Sequence, residues 1–185
     1  LTFRLDRLLL KEKGLKNVCP TIGDFDGDGI VDLLVGDSKG NIYFHKGKKK
    51  KKTLVFNEKG RKLKAGKNFA SVGSFASPRM YDIDGDGRLE VVVGNGEGYL
   101  RVYKKKPPYL IDKGYICGNT LNQFGNKRLW GGHYSVPCFA DLNRDGKIDL
   151  VVGQVEFGLP IPIDSPMFPY KKELRSALKC AEENN

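Results

Sequence analysis

The polarity pattern along the chain is a recurrence of short apolar trios rather than a helical stripe. Leu33–Val35, Val91–Val93 and Leu150–Val152 are each closed by a glycine, Gly36, Gly94 and Gly153. Short Val- and Leu-rich runs bounded by Gly read as buried strands. Residues 41–46 and 99–104 then alternate apolar with polar or charged side chains, and further strands are expected at 53–56 and 109–111. The unit is therefore a strand ending at an Asp, an acidic loop, an apolar strand, a Gly turn, an alternating strand, a second turn and an outer strand. Helical spacing is found only at 170–182, where Tyr170, Leu174, Leu178 and Ala181 share one face, which predicts a short docking or capping helix. Leu1, Phe3 and Leu5 alternate at the other end and predict a strand of a preceding or incomplete unit.

Each apolar trio follows a nine-residue segment dense in acids: DFDGDGIVD at 24–32, DIDGDGRLE at 82–90 and DLNRDGKID at 141–149, at offsets of 58 and 59 residues. A Pro stands four residues before each first Asp, at Pro20, Pro78 and Pro137, and a Gly twelve after it. Recurrence at this period marks a propeller, a solenoid or an array.

Charge sharpens the picture. The 185 residues carry 32 Lys and Arg against 22 Asp and Glu, a net charge of +10, yet eleven of the acids lie in the three segments. Like charges gathered so closely repel unless a positive group sits among them. Asp-x-Asp-x-Asp-Gly sends alternate carboxylates to one side of a tight turn, with Gly at the sixth position permitting the bend. A hard cation with oxygen ligands is the natural guest, and Ca2+ accepts the six to eight donors such a loop offers. The expected ligands are Asp24, Asp26, Asp28, the Ile30 carbonyl and Asp32; Asp82, Asp84, Asp86, the Arg88 carbonyl and Glu90; and Asp141, Asn143, Asp145, the Lys147 carbonyl and Asp149. Asn143 and the neighbouring Arg144 make the third site the weaker one. An EF-hand requires a Glu at the twelfth position between helices. Val35, Val93 and Val152 stand there, inside strands, so that reading fails.

The three segments DFDGDGIVDLLVG, DIDGDGRLEVVVG and DLNRDGKIDLVVG resemble FG-GAP/VCBS-type repeats, the calcium-loop blades of the integrin alpha-subunit propeller, over about residues 15–157. The Phe-Gly…Gly-Ala-Pro signature survives in degraded form as SFASP at 74–78 and HYSVP at 133–137. The resemblance implies an all-β fold of four-stranded antiparallel β-propeller blades, with calcium in the first hairpin of each blade, on the face opposite the usual ligand face. The expected organisation is an N-terminal strand segment at 1–14, blade 1 at 15–75, blade 2 at 76–134, a partial blade 3 at 135–157, and a Pro-rich segment with the helix at 158–185. Closed propellers use four to eight blades. Three leave unpaired edges, so the chain is expected to be a processed form or fragment, or to be completed by other chains or by further blades.

Remaining features are weaker signals. KGKKKKK at 46–52, expected at the turn between the third and fourth strands of blade 1, and KKK at 104–106 would attract an acidic polysaccharide or an anionic surface. No nucleic-acid-binding signature is present, so specific nucleic-acid recognition is not expected, and no apolar run is long enough to span a membrane. Trp130 and His133, in the connection to the third blade, are candidate ligand contacts. Cys19, Cys117, Cys138 and Cys180 contain no C-x-x-C pair, and two disulfides or isolated thiols both fit. No catalytic constellation stands out. The leading expectation is a calcium-stabilised propeller segment of a secreted or cell-surface protein, serving binding, adhesion or assembly and not catalysis. The alternatives are a scaffold or subunit of a lyase-like polysaccharide-acting enzyme, and a repeating subunit of an extracellular filament.

Overall fold

The computed structural model describes residues 14–51, 53–106, 109–117, 128–129 and 132–155. Along the chain these form β1 (Cys19–Gly23), β2 (Asp32–Gly36), β3 (Ile42–His45), β4 (Gly47–Lys50), β5 (Thr53–Phe56), β6 (Arg61–Lys62), β7 (Lys64–Ala65) and β8 (Asn68–Phe69). They continue with β9 (Ser77–Tyr81), β10 (Glu90–Gly94), β11 (Leu100–Lys106), β12 (Tyr109–Tyr115), β13 (His133–Ala140) and β14 (Asp149–Val155). The described residues contain no helix. The N-terminal strand, the Pro-rich segment, the C-terminal helix, Trp130 and Cys180 lie outside the described residues.

The repeats become successive sheets. The first runs β1-β2-β3-β6 and the second runs β9-β10-β11-β12, with β7 joined parallel to β12 at its outer edge and β8 antiparallel beyond it; the third shows β13 paired with β14. Each conserves one register. Pro20 faces Val35, Pro78 faces Val93 and Pro137 faces Val152, and each first strand ends where its acidic loop begins.

The sheets stack face to face. Val91 and Val93 point into a core with Leu34, Phe44, Ala76 and Tyr103, whereas Val92 points the other way, into a core with Ile83, Val102, Phe139, Leu150 and Val152. A strand covered on both faces has no polar side, which is why the trio is apolar throughout instead of alternating. Each buried Val contributes roughly 1.5–3 kcal/mol of transfer free energy.

The two junctions between sheets repeat atom for atom. Ala76 N–H donates to the Asp37 carbonyl (2.9 Å) and Phe75 N–H to the Ser38 carbonyl (3.1 Å). One repeat later, Ser135 N–H donates to the Asn95 carbonyl (3.0 Å) and Tyr134 N–H to the Gly96 carbonyl (3.2 Å). Asn17, Phe75 and Tyr134 hold the corresponding position in each repeat, and all three have positive φ (49°, 46° and 55°). Gly36 and Gly94 sit against these junctions: a Cβ on Gly36 would lie 2.0 Å from the Ala76 carbonyl oxygen, and one on Gly94 1.9 Å from that of Ser135. At Gly153 the nearest atom to such a Cβ among the described residues is the Val136 carbonyl oxygen at 3.8 Å.

The outer part of the first sheet differs from expectation. Residues 53–56 do not form its fourth strand. Thr53–Phe56 pairs with Gly47–Lys50 as a separate hairpin, and the fourth strand is the short Arg61–Lys62, opposite Tyr43 and Phe44. The lysine run is therefore one arm of a projecting ribbon rather than a turn within the sheet. Lys51 takes positive φ (58°) at its tip, and Lys48, Lys49 and Lys50 are exposed along it.

Candidate cation loops

Each acidic segment is the hairpin between the first two strands of its sheet. Its first Asp organises the backbone. Asp24 Oδ1 accepts from Gly27 N–H (2.8 Å) and Asp28 N–H (3.1 Å), and Asp24 Oδ2 from Gly29 N–H (2.9 Å). Asp82 repeats the pattern with Gly85 (2.8 Å), Asp86 (3.1 Å) and Gly87 (2.9 Å). Asp141 accepts from Asp145 (3.1 Å) and Gly146 (2.9 Å). The Asp at the fifth position of each loop accepts from the residue two positions on: Ile30 to Asp28 (2.9 Å), Arg88 to Asp86 (2.8 Å) and Lys147 to Asp145 (2.9 Å). Such carboxylate-to-backbone bonds hold an Asx-type loop without any guest.

The ninth residue folds back under the loop. Asp32 accepts from Phe25 N–H (3.0 Å), Asp26 N–H (3.1 Å) and Gly47 N–H (2.7 Å); Glu90 accepts from Ile83 N–H and Asp149 from Leu142 N–H, both at 2.9 Å. Asp32 and Glu90 are buried, and burial pushes both carboxyls above their ordinary pKa values.

These bonds bring carboxylates together in two loops. One oxygen from each of Asp24, Asp26 and Asp32 lies within 4.8 Å of the others, and the same holds for Asp82, Asp84 and Asp86. Asp26 Oδ1 is buried and has no hydrogen-bond partner among the described residues. An orphaned carboxylate oxygen beside two further acids matches the donor set of a hard divalent ion, which would neutralise the cluster and lock the hairpin. Loop 3 is built differently. The Asn143 amide donates to Asp145 Oδ2 (2.7 Å), and Arg144 occupies with φ +58° the position that Gly27 and Gly85 hold in the other loops.

Sequence reasoning missed two residues. Lys46 Nζ pairs with Asp26 Oδ2 and with Asp28 Oδ2 (2.6 Å), and Lys104 Nζ pairs with Asp84 Oδ2. The Lys46 ammonium holds the Asp28 carboxyl below the usual range, and Lys104 does the same for Asp84; both lysines are raised in return. The signal was available, because Lys46 and Lys104 are themselves one period of 58 residues apart.

The opposite end of the sheets carries an open groove of about 360 Å³ lined by Ser74, Phe75, Gly96, Glu97, Tyr99, His133 and Tyr134. His133 is exposed there at the start of β13, and Phe75 and Tyr134 meet edge to face at 4.6 Å. His45 is buried in β3, its Nδ1 hydrogen-bonded with the Asn57 carbonyl at 2.9 Å. Cys19 lies on β1 and Cys138 on β13, both as free thiols.

Tandem sheets, each opening on an acidic hairpin, define a β-repeat protein of the acidic-loop type. The family model of the FG-GAP-like repeat matches residues 24–93 and 82–152, and the chain belongs to this family. It is similar to integrin alpha pat-2 of Caenorhabditis elegans, 28% identical over 154 residues, which is 71% of this chain and 12% of that protein. Integrin alpha pat-2 of Caenorhabditis briggsae is 27% identical over 151 residues, again 71% and 12%. Integrin alpha-4 of Xenopus laevis is 32% identical over 108 residues, 55% of this chain and 10% of that protein. The chain thus spans a small part of these relatives. Among the described residues no helix is long and apolar enough to cross a membrane.

Proposed function

We propose that this chain is a calcium-stabilised segment of a β-propeller in an extracellular or cell-surface protein, serving adhesion or binding rather than catalysis. The observation that carries the reading is that Asp24, Asp26 and Asp32 each bring a carboxylate oxygen within 4.8 Å of the others, while Asp26 Oδ1 is buried without a hydrogen-bond partner and Asp82, Asp84 and Asp86 form a second cluster one repeat on. Calcium enters loops 1 and 2, and loop 3 more weakly, through the fifteen ligand positions expected from the sequence. Its role is structural: two positive charges offset the gathered carboxylates and fix each hairpin at the end of its sheet. Extracellular modules of this kind bind calcium at roughly 10⁻⁴–10⁻³ M, which suits a compartment where calcium is permanently high. The integrin alpha relatives support the surface location and the adhesive role.

The sheets are blades of a ring that continues beyond the third. Val151 is 43% exposed where its counterpart Val92 is fully buried between two sheets. Among the described residues Gly153 is open where Gly36 and Gly94 are pressed against the next repeat's backbone. At the other end Ile22 on the leading strand and Val18 just before it are exposed. Both outer faces are shaped for another blade, of the same polypeptide or of a neighbouring chain. The groove around His133 and Glu97 lies at the end away from the loops, where it is free to take a polar ligand, and the projecting lysine ribbon gives a second, anionic-surface contact.

The test is a crystal grown in millimolar calcium with data collected for anomalous scattering. Peaks are expected within the first two loops. Empty loops at that concentration would remove the calcium reading.

A further inference from the structure

The first two loops each contain a cation of the protein's own. Lys46 follows β3 and reaches Asp26 and Asp28 of loop 1; Lys104, at the same place one repeat later, reaches Asp84 of loop 2. The coincidence is specific. Each lysine meets the second acid of its loop, the position where Asp26 leaves one buried oxygen without a hydrogen-bond partner. In loop 3 that position is Asn143, a neutral amide that satisfies itself on Asp145. Lysine contact and the second carboxylate thus go together in the two loops that have the acid. The lysines also stand apart from the exposed Lys48, Lys49 and Lys50 of the ribbon, because both are only partly exposed and pair with the loop carboxylates.

We infer that Lys46 and Lys104 are tethered counter-ions of the acidic loops: each ammonium holds its carboxylates together without metal, and yields those contacts when calcium enters. The inference rests on the calcium reading above. One positive charge cannot neutralise three or four carboxylates, so the ammonium is an incomplete substitute and calcium displaces it. The exchange has two consequences. The metal-free sheets keep their hairpins in place of a mutually repelling acid cluster. Calcium must break one or two partly exposed ion pairs and remain near a positive charge, so loading is shifted to higher calcium concentration. The lysine therefore sets the concentration at which its loop fills.

The experiment compares the full chain with Lys46→Met, Lys104→Met, Lys46→Arg and, as a control on the ribbon, Lys48→Met. Calcium chloride is titrated calorimetrically, and each protein is melted in EDTA and in millimolar calcium. Each Met variant is expected to bind calcium about tenfold more tightly at its own loop. It is also expected to melt lower than the parent in EDTA and to recover in calcium. Lys46→Arg, which keeps the charge, and Lys48→Met should stay within about threefold of the parent. Equal or weaker calcium affinity in the Met variants overturns the exchange while leaving the calcium sites standing, as does an unchanged melt in EDTA. A Met variant that fails to fold even in calcium also overturns it, since calcium should take over the ammonium's place. Absence of calcium binding in the parent and variants alike removes the calcium reading and this inference with it.

Discussion

The junction glycines offer the sharpest test of how the sheets are assembled. Gly94→Ala places a Cβ 1.9 Å from the Ser135 carbonyl oxygen and 2.7 Å from Ser77 Oγ. No rotamer relieves the contact, because the clashing atoms include backbone of the next sheet. The third sheet must move outward by more than an ångström. That stretches the Ser77 hydroxyl bond to the Ser135 carbonyl (2.6 Å), the Ser135 N–H bond to the Asn95 carbonyl (3.0 Å) and the packing of Val92 against Val152. Overpacking costs about 1–3 kcal/mol, and a buried polar group left without its partner costs about 1–3 kcal/mol more. A total near 3–5 kcal/mol is a large share of the 5–15 kcal/mol that holds a domain together. It corresponds to a fall in melting temperature on the order of 10 °C for a chain of this size. Gly36→Ala, 2.0 Å from the Ala76 carbonyl oxygen, should behave alike. Gly153→Ala meets nothing closer than 3.8 Å among the described residues and should stay within about 0.5 kcal/mol of the parent. Urea and thermal unfolding of the three variants provide the measurement. The reasoning fails if Gly94→Ala unfolds with the parent, or if Gly153→Ala is as damaging as the other two.

Acidification should release calcium before it unfolds the chain. Burial raises the carboxyls of Glu90 and Asp32, so in the metal-free protein protonating them as pH falls adds stability, whereas calcium requires them ionised. The calcium-dependent gain in melting temperature should be complete at pH 7 and shrink as pH approaches the ordinary Glu value of 4.5, and a gain undiminished there would contradict the assignment. Asp28 and Asp84 run the other way: their lysine-lowered values keep their ion-pair contribution in place above 3.8 and surrender it only below. Replacing Lys48 and Lys50 of the ribbon by Glu should weaken retention on an anionic polysaccharide matrix at low salt while moving stability by less than about 0.5 kcal/mol, both residues being exposed; unchanged retention would remove the ribbon as a contact.

How much of this was readable in the sequence depends on whether a feature repeats. The loops, the Pro at each first strand and the Gly at each trio recur at 58 and 59 residues, and the structure places them in equivalent positions. The fourth strand of the first sheet was misplaced because Thr53–Phe56 has a clear strand composition, whereas the true strand, Arg61–Lys62, is two charged residues long and has no periodicity to detect. Thr53–Phe56 pairs locally, with the lysine strand just before it, and so never reaches Tyr43. The ammonium partners escaped notice for another reason. Lysines after an alternating strand look like a solvated end, and only the fold shows that this end lies beside the acidic hairpin. The same holds for Asp37 and Asn95, one period apart, whose side chains close the glycine turns by accepting from Asn41 and Tyr99 N–H, both at 2.8 Å.

The central claim is that divalent calcium completes the acidic hairpins and thereby stabilises the stacked sheets. Melting the chain at millimolar calcium and again in excess EDTA, with bound calcium counted by equilibrium dialysis, tests it most directly. At a tenfold excess over the dissociation constant each site adds about 1.4 kcal/mol. Two filled loops therefore raise the melting temperature by roughly 5–10 °C, with two to three ions bound per chain expected from the loops. Superimposable melting curves and no bound calcium would contradict the account.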